Sequence, residues 1–120
     1  MASILIVDDD APIRTLLRRM LEEDGHQIRE AANGEIGLRL YRDSPADLVI
    51  TDIMMPERDG MEVTLALTQE FLDARVVAIT GATGDQNFLN VAKLFGARRV
   101  IQKPFTPEEV RRAVRFVLDH

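Results

Sequence analysis

Residues 4–10 read Ile-Leu-Ile-Val-Asp-Asp-Asp, an unbroken apolar run that ends in three carboxylates. Successive apolar residues favour a strand buried on both faces, as in a parallel sheet that helices cover on both sides. Shorter runs of the same kind occur at 28–32, 48–50, 76–79 and 100–101, and the run at 28–32 is the weakest. Because amphipathic segments separate these runs, the pattern predicts five strands in alternating βα units.

The amphipathic segments carry helix-start signals. Asp10 is expected to cap the first helix, Asn33-Gly34 to open the second and Asp59-Gly60 to precede the third. The fifth helix is predicted to start at Thr106-Pro107-Glu108-Glu109, a capping box with proline in the first helical position. Apolar faces support the first, fourth and fifth helices, and they consist of Ile13, Leu16, Leu17, Met20 and Leu21, of Phe88, Val91, Ala92 and Phe95, and of Val110, Ala113, Val114, Val117 and Leu118.

These elements predict a doubly wound α/β fold, in which right-handed crossovers place helices on both sides of a five-stranded parallel sheet. The chain has 120 residues, an ordinary size for one domain, and we expect a single domain over residues 1–120. Apolar residues make up 46% and charged residues 29%, a balance typical of globular proteins. No basic segment leads into an apolar signal core, so we predict a cytoplasmic protein without membrane contact.

Composition also excludes several kinds of site. The chain contains no cysteine, which excludes disulfides, thiolate metal sites and cysteine nucleophiles. Its formal net charge of -5 argues against direct nucleic acid binding. Residues 93–120 nevertheless contain seven basic and three acidic residues, so this end of the chain could face an acidic protein partner.

Polar side chains follow four of the predicted strands: Asp8, Asp9 and Asp10, then Asp52, Thr80 and Lys103. The carboxyl ends of parallel strands meet at one edge of the sheet, where doubly wound proteins bind ligands. Two carboxylates about 4 Å apart repel each other by about 4 kcal/mol at an effective dielectric constant near 20, so the cluster needs a cation or bound protons. Magnesium prefers carboxylate and water oxygens, and it leaves positions open for phosphate oxygens.

The remaining polar groups suit phosphoryl transfer. Lys103 supplies a positive charge and the Thr80 hydroxyl a hydrogen-bond donor, so the site could accept a phosphoryl group in line. The nucleophile would be a carboxylate. Since the fold itself requires none of these residues at the strand ends, the combination indicates a functional site.

Four segments together resemble the receiver domain of two-component response regulators. Residues 4–10 look like the acidic strand end of that family, and residues 49–60 look like its phosphoacceptor segment. Ala-Ile-Thr-Gly at 78–81 and Lys-Pro-Phe at 103–105 match the other two signatures, in the same order. The resemblance implies a flavodoxin-like (βα)5 fold with strand order 2-1-3-4-5, and a cis bond before Pro104.

The resemblance also implies roles for the polar residues. Asp52 would be the phosphoacceptor. Asp9, Asp52 and the backbone carbonyl of Met54 would bind Mg²⁺, and Asp8 would hold metal-bound water. Lys103 and Thr80 would contact the phosphoryl oxygens.

The implied partners follow from the same family. The phosphoryl donor would be a histidine kinase or a histidine phosphotransfer protein, and the signal would pass to an effector protein or a fused output domain. Readout, and possible dimerisation, would involve the fourth helix, fifth strand and fifth helix. Such a module is not a turnover enzyme, although it slowly hydrolyses its own aspartyl phosphate. Met54 and Ala82 predict slow hydrolysis, because neither side chain can activate water.

Two departures from the family pattern leave alternatives open. Val100 stands where the family usually has a switch aromatic, and Arg98 and Arg99 replace a common acidic residue. One alternative is a receiver-fold adaptor that acts without phosphorylation. Another is a Mg²⁺-dependent phosphohydrolase with an aspartate nucleophile, although Met54 stands where such enzymes keep a second aspartate. A flavin-binding redox protein is a third, but residues 8–10 would repel the flavin phosphate.

Overall fold

The computed structural model describes residues 2–53, 60–81 and 96–119. Its strands are β1 (Ser3–Val7), β2 (Gln27–Ala31), β3 (Leu48–Asp52), β4 (Val76–Thr80) and β5 (Arg99–Gln102). Its described helices are α1 (Ala11–Glu23), α2 (Gly34–Asp43), α3 (Gly60–Glu70) and α4 (Pro107–Asp119). Thus α4 is the fifth helix of the sequence-based prediction, and the predicted fourth helix, with Phe88, Val91, Ala92 and Phe95, lies outside the described residues.

The strands form one parallel sheet in the order β2-β1-β3-β4-β5, which confirms the predicted flavodoxin-like topology. The three inner strands, β1, β3 and β4, are buried almost throughout. The edge strands β2 and β5 are mostly half-buried, which explains why their apolar runs are weak or short. The structure places β2 one residue earlier than the sequence predicts.

Alternation along β1 divides the core into two layers. Ile4 and Ile6 point to one face of the sheet, where α1 and α4 pack, and Leu5 and Val7 point to the opposite face, where α2 and α3 pack. Both layers are apolar and well buried, so every inner strand is covered on two sides. This arrangement leaves only the strand ends available for polar groups.

The predicted caps are present at three helices. Asp10 accepts a hydrogen bond from the backbone amide of Ile13 (3.3 Å), and Asn33 accepts one from Ile36 (2.9 Å). At α4 the capping box is reciprocal: the Thr106 hydroxyl accepts from the Glu109 amide (3.1 Å), and the Thr106 amide donates to the Glu109 carboxylate (3.4 Å). No described helix has the length and apolar character needed to span a membrane.

The predicted apolar face of α1 is wrong at one residue. Leu16 is 46% exposed, whereas Leu17, Met20 and Leu21 are buried. Leu16 lies at the margin of the apolar stripe, where it lines an open groove between α1 and the start of α4 together with Pro107. The width of the buried stripe is therefore set by where α4 begins.

Helix α2 packs closely against the sheet at Gly37. A Cβ atom on this residue of α2 would lie 2.7 Å from Cγ2 of Val7, which is buried at the end of β1. Val7 immediately precedes Asp8, so α2 packs against the last residue of β1 before the acidic run.

We predict that Gly37→Ala destabilises the protein. Alanine would ordinarily favour a helix over glycine, but the overpacking against Val7 should lower the free energy of unfolding by about 1 to 2 kcal/mol. Gly81→Ala is the control, because among the residues that the structure describes no atom lies within 4 Å of a Cβ placed there. Urea denaturation measures both variants, and an unchanged or higher stability of Gly37→Ala would contradict the prediction.

Candidate functional site

The candidate site lies at the carboxyl edge of the sheet, where backbone hydrogen bonds continue past the strand ends. The Asp8 amide donates to the Ala31 carbonyl (3.1 Å), and the Ile53 amide donates to the Ile79 carbonyl (2.9 Å). The Lys103 amide donates to the Thr80 carbonyl (2.9 Å). These bonds fix the backbones on which the polar side chains are mounted.

The three predicted carboxylates meet at this edge. Carboxylate oxygens of Asp8, Asp9 and Asp52 lie within 4.8 Å of one another. Register explains the meeting of Asp8 and Asp52, because Val7 pairs with Thr51 in the adjacent strands β1 and β3. Asp8 is 1% exposed and Asp52 is 5% exposed, whereas Asp9 faces solvent.

Lys103 joins this cluster from beyond β5. Its Nζ donates a hydrogen bond to Oδ2 of Asp52 (2.9 Å) and lies 3.7 Å from Oδ2 of Asp8. The pairing of β5 with β4 places Lys103 near the end of β4. The peptide bond between Lys103 and Pro104 is cis, as the resemblance implied. The ammonium therefore faces both buried carboxylates.

Thr80 and Met54 complete the set of predicted residues. Thr80 ends β4, between the strands that carry Asp52 and Lys103, and it is buried. Met54 and Ala82 lie outside the described residues. The structure thus brings together Asp8, Asp9, Asp52 and Lys103, and it puts Thr80 on the strand between them.

The pKa of Asp8 is raised, and burial is the largest cause. The net effect raises the pKa of this carboxyl from 3.8 to about 6. Repulsion from Asp52 and Asp9 adds to the loss of hydration; the Asp10 amide, which donates to Oδ1 (2.9 Å), and attraction to Lys103 oppose it. Asp8 therefore takes up a proton at a higher pH than an ordinary carboxyl.

Lys103 is held in its charged form. Burial lowers the pKa of its ammonium, but the hydrogen bond to Asp52 and the attraction of Asp8 and Asp52 outweigh this effect, so the net shift is upward. A permanent positive charge at this edge can stabilise an incoming anionic group.

The donor set fits a hard divalent cation. Oδ2 of Asp8 is buried and has no hydrogen-bond partner among the described residues, which leaves a lone pair directed into the cluster. Three carboxylates face one ammonium, so one further cation is needed to balance the charge. Oxygen ligands of this kind suit Mg²⁺.

The structure also shows residues that the sequence analysis did not connect with the site. Nη1 of Arg14, in the first turn of α1, donates to the backbone carbonyl of Asp8 (2.6 Å), and its Nε donates to Glu30 (3.2 Å). The one available signal was an arginine outside the apolar face of the helix that follows the acidic run. That signal does not reveal which carbonyl an arginine contacts.

The basic end of the chain is partly neutralised within the protein. Arg111 pairs with Asp24 (3.0 Å) and Glu23 (3.3 Å) at the end of α1. Arg115 pairs with Glu108 (3.1 Å). The guanidinium of Arg99 stacks over the ring of Phe116, 3.5 Å from its centroid, beside an open groove that Arg112 also lines. The basic surface next to β5 thus centres on Arg99 and Arg112.

Known proteins resemble this chain over nearly its whole length. The family model "Response regulator receiver domain" matches residues 4–115. The chain is 38% identical over 119 residues to Protein PilH of Pseudomonas aeruginosa, covering 98% of each. It is 37% identical over 116 residues to the alkaline phosphatase synthesis transcriptional regulatory protein PhoP of Bacillus subtilis, which covers 96% of this chain but only 48% of PhoP.

Solved structures agree with the sequence relatives. A response regulator receiver domain protein from Clostridium thermocellum superposes with a TM-score of 0.92 at 29% identity, covering 99% of this chain and 95% of that one. Receiver domains are signalling modules that act with histidine kinases and effector domains, and they are not conventional enzymes. The acidic edge of this sheet is thus that of a receiver domain, and the chain belongs to the receiver domain family of two-component response regulators.

Proposed function

We propose that the chain, as a single receiver domain over residues 1–120, accepts a phosphoryl group on the Asp52 carboxylate from a phosphohistidine of a histidine kinase or histidine phosphotransfer protein. The observation that carries this proposal is the contact of Asp52 with Lys103 inside a cluster of three carboxylates. Asp8 is the poorer candidate, because Nζ of Lys103 lies 3.7 Å from its Oδ2 against 2.9 Å from Oδ2 of Asp52. Its Oδ1 already accepts a hydrogen bond from the Asp10 amide. Asp9 faces solvent and lacks the contact with Lys103 that would offset the charge of a phosphoryl group.

Transfer requires one bond to form and one to break. An oxygen of Asp52 bonds to phosphorus while the bond from phosphorus to the donor imidazole nitrogen breaks, and the electron pair of that bond stays on the imidazole. Lys103, already 2.9 Å from Asp52, then neutralises charge on the transferred phosphoryl oxygens. Thr80 supplies a hydroxyl donor to the same group.

Asp8, Asp9, Asp52 and the backbone carbonyl of Met54 would hold Mg²⁺, with Asp8 acting through a bound water. When bound, Mg²⁺ offsets carboxylate repulsion and the charge of the phosphoryl group. Asp8 and Asp52 are positioned for this by the paired ends of β1 and β3. The chain's own residues then orient the phosphoryl group and keep Asp52 largely shielded from water.

Readout would use the predicted fourth helix, β5 and α4, in a cytoplasmic signalling pathway with an effector protein or output domain. The same surface would serve for a dimer. The stacked Arg99 and Phe116 and the exposed Arg112 support an acidic protein partner on this surface. Loss of the phosphoryl group by slow self-hydrolysis would return the module to its resting state.

We expect phosphoryl analogues to act only through Asp52. Beryllofluoride with Mg²⁺ should shift backbone amide resonances around residues 8, 52 and 80 in the wild type but not in Asp52→Asn. Acetyl phosphate should add one phosphoryl mass to the wild type alone, as measured by mass spectrometry. Asp10→Asn is the matched control, because asparagine preserves the cap of α1 and this side chain lies outside the cluster.

Modification of Asp52→Asn, or no response in the wild type, would contradict the proposal. If the chain is an adaptor that acts without phosphorylation, neither the wild type nor Asp52→Asn should respond to beryllofluoride or acetyl phosphate. Sustained hydrolysis of a phosphomonoester by the wild type would favour a phosphohydrolase instead.

We further predict that the contribution of Asp8 to stability in metal-free buffer falls as the pH rises from 3.8 to about 6. The folded Asp8 carboxyl binds a proton more tightly than the unfolded one, so its contribution is complete below pH 3.8 and is lost through the folded pKa of about 6. This pKa difference corresponds to about 3 kcal/mol. Urea denaturation should therefore show Asp8→Asn gaining stability relative to wild type as the pH rises through this window.

The Asn side chain can still accept the hydrogen bond of the Asp10 amide, which makes Asp8→Asn a near-isosteric comparison. Mg²⁺ should restore stability to the wild type at pH 7.5 and not to the variant. A constant stability difference between the two proteins across pH 4 to 7 would show that Asp8 titrates as an ordinary carboxyl.

A further inference from the structure

Arg14 holds the backbone that carries the acidic pair. It lies in the first turn of α1, and its Nη1 donates to the Asp8 carbonyl at 2.6 Å. Its Nε donates to Oε1 of Glu30, at the end of β2, at 3.2 Å. The Arg14 side chain is only 18% exposed, so the guanidinium is fixed between a strand end and a carboxylate rather than free in solvent.

Asp8 is consequently held at three separate atoms. Its amide donates to the Ala31 carbonyl (3.1 Å), its Oδ1 accepts from the Asp10 amide (2.9 Å), and its carbonyl accepts from Arg14. The carbonyl of Asp8 belongs to the peptide unit that links it to Asp9. The Arg14 contact thus fixes the peptide unit from which the exposed Asp9 side chain extends.

Glu30 serves two arginines, and only one of them contacts the site. Arg18, one turn further along α1, pairs with Glu30 at 2.6 Å and with Glu22 at 3.2 Å. It makes no described contact with Asp8, Asp9 or Asp52. Arg14 and Arg18 thus share a helix and a partner, but differ in the contact with the Asp8 carbonyl.

We propose that Arg14, oriented by Glu30, is a positioning residue that fixes the peptide unit between Asp8 and Asp9 and thereby raises the affinity of the acidic cluster for Mg²⁺. The inference rests on the proposed function, because it assumes that this cluster binds the cation. Residues that orient metal ligands without touching the metal commonly contribute to affinity in this way.

Charge and position make opposite contributions at Arg14. A guanidinium near three carboxylates repels a divalent cation, so its removal should strengthen binding if charge alone matters. Loss of the hydrogen bond to the Asp8 carbonyl frees the peptide unit, which should weaken binding. The sign of the change therefore separates a positioning role from a simple electrostatic one.

The test is a Mg²⁺ titration of the full chain, followed by backbone amide resonances, with unfolding in urea measured in parallel. Arg14→Gln removes the positive charge and the guanidinium that donates to both Glu30 and the Asp8 carbonyl. Arg14→Lys keeps the charge but lacks the planar guanidinium. Both should raise the dissociation constant for Mg²⁺ about tenfold. Arg18→Gln, the matched control, should bind Mg²⁺ as the wild type does.

A saturating concentration of Mg²⁺ should restore the rate of phosphorylation by acetyl phosphate in the Arg14 variants, because the reacting groups are intact. If Arg14→Gln fails to fold, Glu30→Gln provides a second test. This variant retains Arg14 but removes the carboxylate that pairs with its guanidinium, and it should also weaken Mg²⁺ binding.

Tighter or unchanged binding in the folded Arg14 variants would overturn the inference, as would unchanged binding in Glu30→Gln. Weakening in Arg18→Gln equal to that in Arg14→Gln would assign the effect to general loss of ion pairs. A wild type that binds no Mg²⁺ would overturn the proposed metal site and this inference together, whereas a wild type that binds Mg²⁺ with unaffected Arg14 variants would overturn this inference alone.

Discussion

The burial of two like charges next to each other constrains the whole carboxyl edge of the sheet. Asp8 and Asp52 are almost inaccessible to solvent. Together with Asp9 they form a cluster whose carboxylate oxygens lie within 4.8 Å of one another. Such a cluster costs free energy unless positive charge is close. Lys103 supplies one charge, reaching Asp52 from beyond β5, and its contact spans 51 residues of sequence. A cation or a proton must supply what remains.

The fold tolerates the free-energy cost of the clustered carboxylates because the rest of the sheet is apolar. Alternate residues of β1 supply two separate core layers, one under α1 and α4 and the other under α2 and α3. These layers fix the strands on both faces, so the strand ends cannot move apart to relieve repulsion. The pairing of β1 with β2 and β3 continues to Val7, the residue before the first carboxylate. The buried core thus holds the carboxylates close together, and positive charge must offset their repulsion.

Local signals made much of the molecule predictable. The caps at Asp10, Asn33 and Thr106 depend on residues a few positions apart, and the structure shows all three. The five parallel strands follow from apolar runs and crossover rules, and the meeting of Asp8 and Asp52 follows from strand ends sharing an edge. The strand order itself rests on the resemblance to receiver domains.

Contacts that depend on side-chain conformation or on how two helices pack could not be predicted from the sequence. The exposure of Leu16 depends on where α4 begins, and the pairing of Arg111 with Asp24 joins residues 87 apart in sequence. The contact of Arg14 with the Asp8 carbonyl depends on a side-chain conformation, which no residue spacing specifies. The raised pKa of Asp8 depends on depth of burial, so the sequence could predict repulsion there but not its outcome.

The proton on Asp8 gives the site a further property. With a pKa of about 6, a minor fraction of this carboxyl is protonated at neutral pH, so a cation that entered the proposed site would displace that proton as it bound. Under the proposed function, cation and proton would therefore compete for the same carboxylate, and acidification would lower cation occupancy at constant cation concentration.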